Sequence, residues 1–199
     1  MQTVGWTHRA AGWFSRPIAP GYVGVLAVSA ASEHAVPGTA DVTLHVHLRR
    51  EDVEPVVLEL AASKDKDGGY RSVTASTSIG YLMPEATWRS WPVSSDNASS
   101  VAAELASLAQ QYAQPFLQRL ASDPDVLLES VKSSIRMAQA TGPCAVAVLL
   151  TRLGRPGEGR SFMQGAVAAL GDRADPHAMH LRETAERFDA WQHFNASRP

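Results

Sequence analysis

The stretch Asp41-Val42-Thr43-Leu44-His45-Val46-His47-Leu48-Arg49 alternates apolar and polar residues without a break. Successive side chains of a strand point to opposite faces. This period of two therefore predicts a half-buried β-strand, with Val42, Leu44, Val46 and Leu48 inward and Thr43, His45, His47 and Arg49 outward. Directly after it the period lengthens: Val53, Val56, Val57 and Leu60 fall at helical spacing. The spacing predicts an amphipathic helix from about Asp52 to Ala62, with Pro55 in the first turn, where a missing N–H costs least.

Toward the N-terminus, Gly12–Ile18 is short and aromatic and is closed by Pro17 and Pro20, which suits a first strand and a turn. Gly21–Ala31 is rich in small and β-branched residues and reads as a second strand at the sheet centre. Pro37-Gly38 marks the turn into the strand quoted above. Beyond the helix, Lys64-Asp65-Lys66-Asp67-Gly68-Gly69 reads as a solvated loop. Tyr70–Leu82 reads as a last strand, alternating Val73, Ala75, Thr77 and Ile79 against Thr74, Ser76 and Ser78.

The second half is alanine-rich and helical. Ser99–Ala121 carries Val101, Leu105, Leu108, Ala109 and Tyr112 on one stripe, with Asn97 or Ser99 as cap and Pro115 as a kink or a restart. Further helices are expected from Asp123-Pro124 to about Ala140, from Thr141-Gly142-Pro143 to near Gly154, from Glu158 to Leu170, and from Asp175-Pro176 to about His193. Tight Gly/Pro turns between them argue for antiparallel neighbours. The expected fold is α+β: an antiparallel sheet of about four strands with one crossover helix, then a C-terminal helical bundle or helical-hairpin stack. The expected parts are residues 1–95, β-rich, and 96–199, helical, packed together as one unit.

Composition narrows the function classes. Hydrophobic residues at 45% supply a core, and a net charge of -2 without a basic stripe argues against nucleic acid as partner. Cys144 is alone in the chain and sits in an apolar run, so the fold needs no disulfide and the thiol reads as a small core residue. No segment approaches the roughly twenty apolar residues needed to cross a bilayer. The N-terminus shows no charged region followed by an apolar run, so the expected location is cytoplasmic, with no membrane partner.

Candidate chemistry is sparse. His45 and His47 put two imidazoles on one strand face, the arrangement of two zinc ligands, but a third ligand is not evident beyond His34 in a loop. His177, His180 and Glu183 follow one another by helical turns and lack the His-Glu-x-x-His order. Gly154–Ser161 is glycine-rich and opens a helix, yet it follows a helix and lacks the Lys-Ser/Thr of a phosphate loop. Asp65-x-Asp67-Gly68-Gly69 has Ser76 where a calcium loop needs glutamate. No catalytic set, no metal and no cofactor is assigned. Trp88 and Trp91, with Arg89 between them in a Pro-bounded connection, are the residue types enriched at interface hot spots. They read either as a binding surface or as a lid over the sheet's end.

Two resemblances follow from these residues. Leu149-Leu150-Thr151-Arg152-Leu153-Gly154-Arg155-Pro156 resembles the turn of a tetratricopeptide-type helical hairpin over Gly142 to Leu170, although Gly159 stands where alanine or a larger residue is usual. Gly5-Trp6, Arg49-Arg50-Glu51-Asp52-Val53-Glu54, and Gly80-Tyr81-Leu82-Met83-Pro84 with Trp88 and Trp91 resemble uncharacterised actinobacterial α+β proteins over most of the first 120 residues. That likeness implies the fold and an immunity or accessory role, without catalytic residues. It also implies a helix before Gly5-Trp6, which is then either absent or upstream of Met1. The expected function is a non-enzymatic cytoplasmic module that binds another protein through Trp88, Arg89 and Trp91. The alternative is a small-ligand-binding protein or enzyme using the polar face of His45, His47 and Arg49.

Overall fold

The alternating stretch forms an interior strand of the sheet, next to the strand at its centre. The computed structural model describes residues 1, 4–32, 35–63, 71–135 and 142–196. The strands are β1 (Thr7–Ala10), β2 (Trp13–Ala19), β3 (Tyr22–Ala31), β4 (Ala40–Arg50), β5 (Ala75–Ser78) and β6 (Trp91–Val93). They form one antiparallel sheet in the order β1-β2-β3-β4-β5, with β6 also paired to β4. The fold is α+β, with six strands among the described residues where the sequence suggested about four. The two added strands are short. β1 has no clean alternation, and β6 contains Pro92, which lacks the N–H of a ladder donor and suits only a sheet margin.

The chain forms two units. The first comprises Met1–Arg49 and Ala75–Asp123, and the second Arg50–Thr74 and Pro124–Pro199. The division thus differs from a cut at residue 95: the first long helical segment belongs with the sheet, and the segment after β4 belongs with the later helices.

In the first unit Leu44, Val46 and Leu48 are fully buried, as their phase in the alternation requires. Burying each such side chain stabilises by about 1.5–3 kcal/mol. The helical segment is α2 (Ala98–Leu108), a π-helical turn (Ala109–Ala113) and α3 (Gln114–Ser122). Leu105, Leu108, Ala109, Ala113, Leu117 and Leu120 make its buried stripe, and α3 packs on β2. Pro115 explains the π turn. It has no N–H to offer the carbonyl four residues back, and the widened turn just before it, closed by Gln114 N–H to Ala109 O, carries the helix through without a break. Asn97 occupies the N-cap position, but its side chain binds Ser94 N and Pro92 O, not the helix end.

β5 is shorter than the expected Tyr70–Leu82 strand. Among the described residues it runs over Ala75–Ser78 and gives way to a 3-10 turn at Ile79–Leu82, while Tyr70 lies outside them. The loop 64–69 lies outside the described residues.

The second unit contains α1 (Glu54–Leu60), with Pro55 in its first turn, α4 (Pro124–Ile135), α5 (Gly142–Arg152), α6 (Pro156–Ala168) and α7 (Pro176–Ala196). Residues 136–141, which hold the expected end of α4, lie outside the described residues. α1 joins β4 to β5, strands that pair antiparallel. α5 and α6 form a tight hairpin, closed at Gly154 in a left-handed conformation with Arg155 N–H donating to Leu150 O. Gly159 is required there: a Cβ would stand 2.6 Å from Ala147 O on α5, so only glycine allows this close approach. Arg187 of α7 donates to Leu60 O at the end of α1, and Arg152 lies 5.3 Å from the Trp191 ring. Asp175 accepts from the N–H groups of His177 and Ala178 and so caps α7.

Candidate functional site

The polar face of β4 is not a plain solvated surface. Cross-strand register places Ser78 opposite His45 and Ser76 opposite His47, and directly opposed residues share a face. Ser29 of β3 lies 3.0 Å from Thr43 Oγ1 and 3.1 Å from His45 Nε2. Four rings then run along the face. Trp13 stacks on His47 (centroids 5.8 Å apart, 16°), His47 on His45 (6.1 Å, 19°), and His45 meets Trp88 (5.9 Å, 57°). Trp13 pairs across β2 and β3 with Ala27, whose small side chain leaves room for the indole.

This covering changes the expected outward set. Thr43 is buried and His47 only 9% exposed, while His45 and Arg49 are half-buried. Burial lowers the pKa of His45, and it pushes His47 down to about 4, helped by the neighbouring His45. Both imidazoles are therefore neutral near pH 7. His47 Nδ1 and Ser78 Oγ are buried and have no hydrogen-bond partner among the described residues.

The two tryptophans go to opposite faces. Trp91 pairs with Val42, so it lies on the core side; it is 5% exposed, and its indole N–H donates to Glu104 Oε1 at 2.8 Å. Trp88 is 54% exposed and leans on His45. Arg89 lies over the Trp91 ring at 5.2 Å and reaches Glu104 at 3.4 Å. The strap over residues 83–90 rests on Gly80, where a Cβ would collide with Thr87 O and stand 2.9 Å from Arg89 N. Ala86 takes a positive φ of 48° within it.

The remaining candidates separate. His34 and Asp65–Gly69 lie outside the described residues. His177 and Glu183 are exposed on α7 and His180 is half-buried. Among the described residues no group of three or more His, Cys, Asp or Glu is placed to hold a metal. At the start of α6, Glu158 and Asp125 hold Arg155. Cys144 is free and buried, its thiol pushed up to about 12 by desolvation and by the charge of Glu54. Such a thiol carries no thiolate at neutral pH. Among the described residues no helix is long and apolar enough to cross a membrane.

Reading the sequence missed Trp13 and Ser29 as members of the site, whereas Ser76 and Ser78 were expected beside His45 and His47 if the two strands paired, as they do. Period two assigns residues to faces, but strand order is needed to bring three strands together. A groove of about 400 Å³ also runs between α6 and α7, floored by Met163, Val167 and Ala185. No family model, no curated protein and no solved structure matches this chain.

Proposed function

We propose that this chain is a non-enzymatic cytoplasmic protein-interaction module, in an immunity or accessory role, that docks its partner on Trp88. One observation carries the reading: Trp88 presents a half-exposed indole on a strap held in place by buried Trp91 and by contact with Gly80. A rigid exposed tryptophan loses little conformational freedom on binding and supplies a large apolar area, which is why this residue type dominates hot spots. Arg89 and Trp91 set the strap, and His45 backs the indole. The likeness of Gly80–Pro84 with Trp88 and Trp91 to actinobacterial α+β proteins supports the immunity or accessory role. A fold that needs no disulfide supports the cytoplasmic location.

The test is co-purification from the native cell with the wild-type chain and with Trp88→Ala. The exposed substitution is expected to leave thermal stability within about 0.5 kcal/mol and to weaken a genuine partner by about 2 kcal/mol or more. A variant that retains every partner at full affinity sinks the reading.

A second reading, a small-ligand binder on the β4 face, is favoured by the unpartnered His47 Nδ1 and Ser78 Oγ. Buried polar groups are nearly always paired.

A further inference from the structure

We infer that the face of β4 and β5 behind Trp88 is a binding site for a neutral, hydroxyl-bearing ring, such as a saccharide. The inference deepens the second reading above and rests on it. Its starting point is the pair of buried polar atoms without partners on one face of two adjacent strands: Ser78 Oγ, opposite His45, and His47 Nδ1, two residues along β4. Leaving such atoms unpaired is unfavourable unless something supplies the missing bonds.

The surrounding chemistry selects the ligand. Ser29, Thr43, His45, His47, Ser76 and Ser78 gather on this face through strand register and the Ser29 hydrogen bonds. Each hydroxyl both donates and accepts, and each neutral imidazole does one at either nitrogen according to tautomer. The charged residues of the strand face, Asp41 and Arg49, stand at its two ends and are opposite in sign. Between them the environment disfavours even a proton's charge on His47. An ionic ligand would be desolvated there without a counter-charge, which is costly. A nucleobase presents fixed donors and acceptors, read most selectively by bidentate Arg, Asn or Gln side chains, and none of these six residues is of that kind. Ligand hydroxyls, which rotate as these side chains do, match it. Trp88 supplies an indole plate for the apolar face of a sugar ring, with its other contact made to His45.

Ser78 is 1% exposed, so a ligand reaches it only when the residues that cover it move. The strap touches His45, the register partner of Ser78, through Trp88, and Gly80, two residues after Ser78, through Thr87 and Arg89. Ala86 is held in the left-handed region in this arrangement, a conformation unfavourable for a residue with a Cβ.

The experiment is a titration of the full chain with a panel of neutral mono- and disaccharides at millimolar concentration, read by NMR at the histidine imidazoles and tryptophan indoles. Neutral nucleosides form a control arm. At least one sugar is expected to shift the His47 and Trp88 signals, and Ser78→Ala is expected to weaken it about tenfold. That variant removes an unpaired buried hydroxyl and leaves the fold intact. Silence across the sugar panel, a shift produced only by nucleosides, or undiminished sugar affinity in Ser78→Ala overturns the inference. If the sugars fail while a protein partner still depends on Trp88, the saccharide site falls and the protein-docking reading stands. If Trp88→Ala alters neither, both fall.

Discussion

Two buried polar clusters, one in each unit, are handled in opposite ways. In the second unit the Glu54 carboxylate is buried at the start of α1 and both its oxygens accept hydrogen bonds: Oε1 from Thr74 at 2.7 Å and Oε2 from Ser72. Thr74 Oγ1 in turn accepts the Arg50 backbone N–H at 2.8 Å. That cluster is closed, and it ties the segment before β5 to the first turn of α1. On the β4 face of the first unit, Ser29 joins Thr43 and His45, but His47 Nδ1 and Ser78 Oγ remain unpaired among the described residues. A satisfied buried network holds structure and has no bond left to give. An unsatisfied one costs stability and has bonding capacity for something else.

The contrast can be broken most forcefully at Glu54. Glu54→Ala takes the acceptor from the buried Thr74 hydroxyl and opens a space at the start of α1, and is expected to cost about 3 kcal/mol, measured by urea unfolding. A loss near zero would mean that the closed cluster is not structural. The next largest effect is that of pH on His47. Its folded value of about 4 lies below the ordinary 6.5, so the unfolded chain takes up the proton first. The contribution is complete above about pH 6.5 and is lost as pH falls toward 4, amounting to about 3 kcal/mol across that window. His47→Phe keeps a ring against Trp13 and should flatten that part of the stability–pH profile. An unchanged slope would show that His47 is not buried as a neutral ring. The smallest effect sharpens the contrast: Ser78→Ala is expected to change stability by less than about 1 kcal/mol, in the stabilising direction. A clear loss would reveal a bond to Ser78 Oγ and make the two clusters alike.

Much of the scaffold was legible in the residues. The alternation through 41–49 named the buried row Val42, Leu44, Val46 and Leu48, and the prolines at 124 and 176 stand at the starts of α4 and α7, whereas α6 opens at Pro156, ahead of the expected Glu158. Proline opens a helix well because its missing N–H is one the first turn does not use. The site was less legible. Trp88 and Trp91 look equivalent in sequence, but the pairing of Trp91 with Val42 turns one to the core and leaves the other outside. Gly159, unusual against a helical-hairpin pattern, makes sense only once Ala147 O is seen against it. Tyr70–Leu82 continued its alternation past the point where the chain turns at Ile79–Leu82, because period two does not show where a strand loses its partner.

The sequence by itself determined the α+β class, the phase of β4 and the start of most helices. These depend on local periodicity and on backbone restrictions that each residue carries with it. Only the tertiary structure decided that the polar side of β4 would be covered, that His47 would be buried as a neutral ring between Trp13 and His45, and that Ser78 would share its face. Which side chains share a face is a property of one strand; what lies over that face depends on strands and loops far away in the chain, and no spacing within 41–49 encodes it.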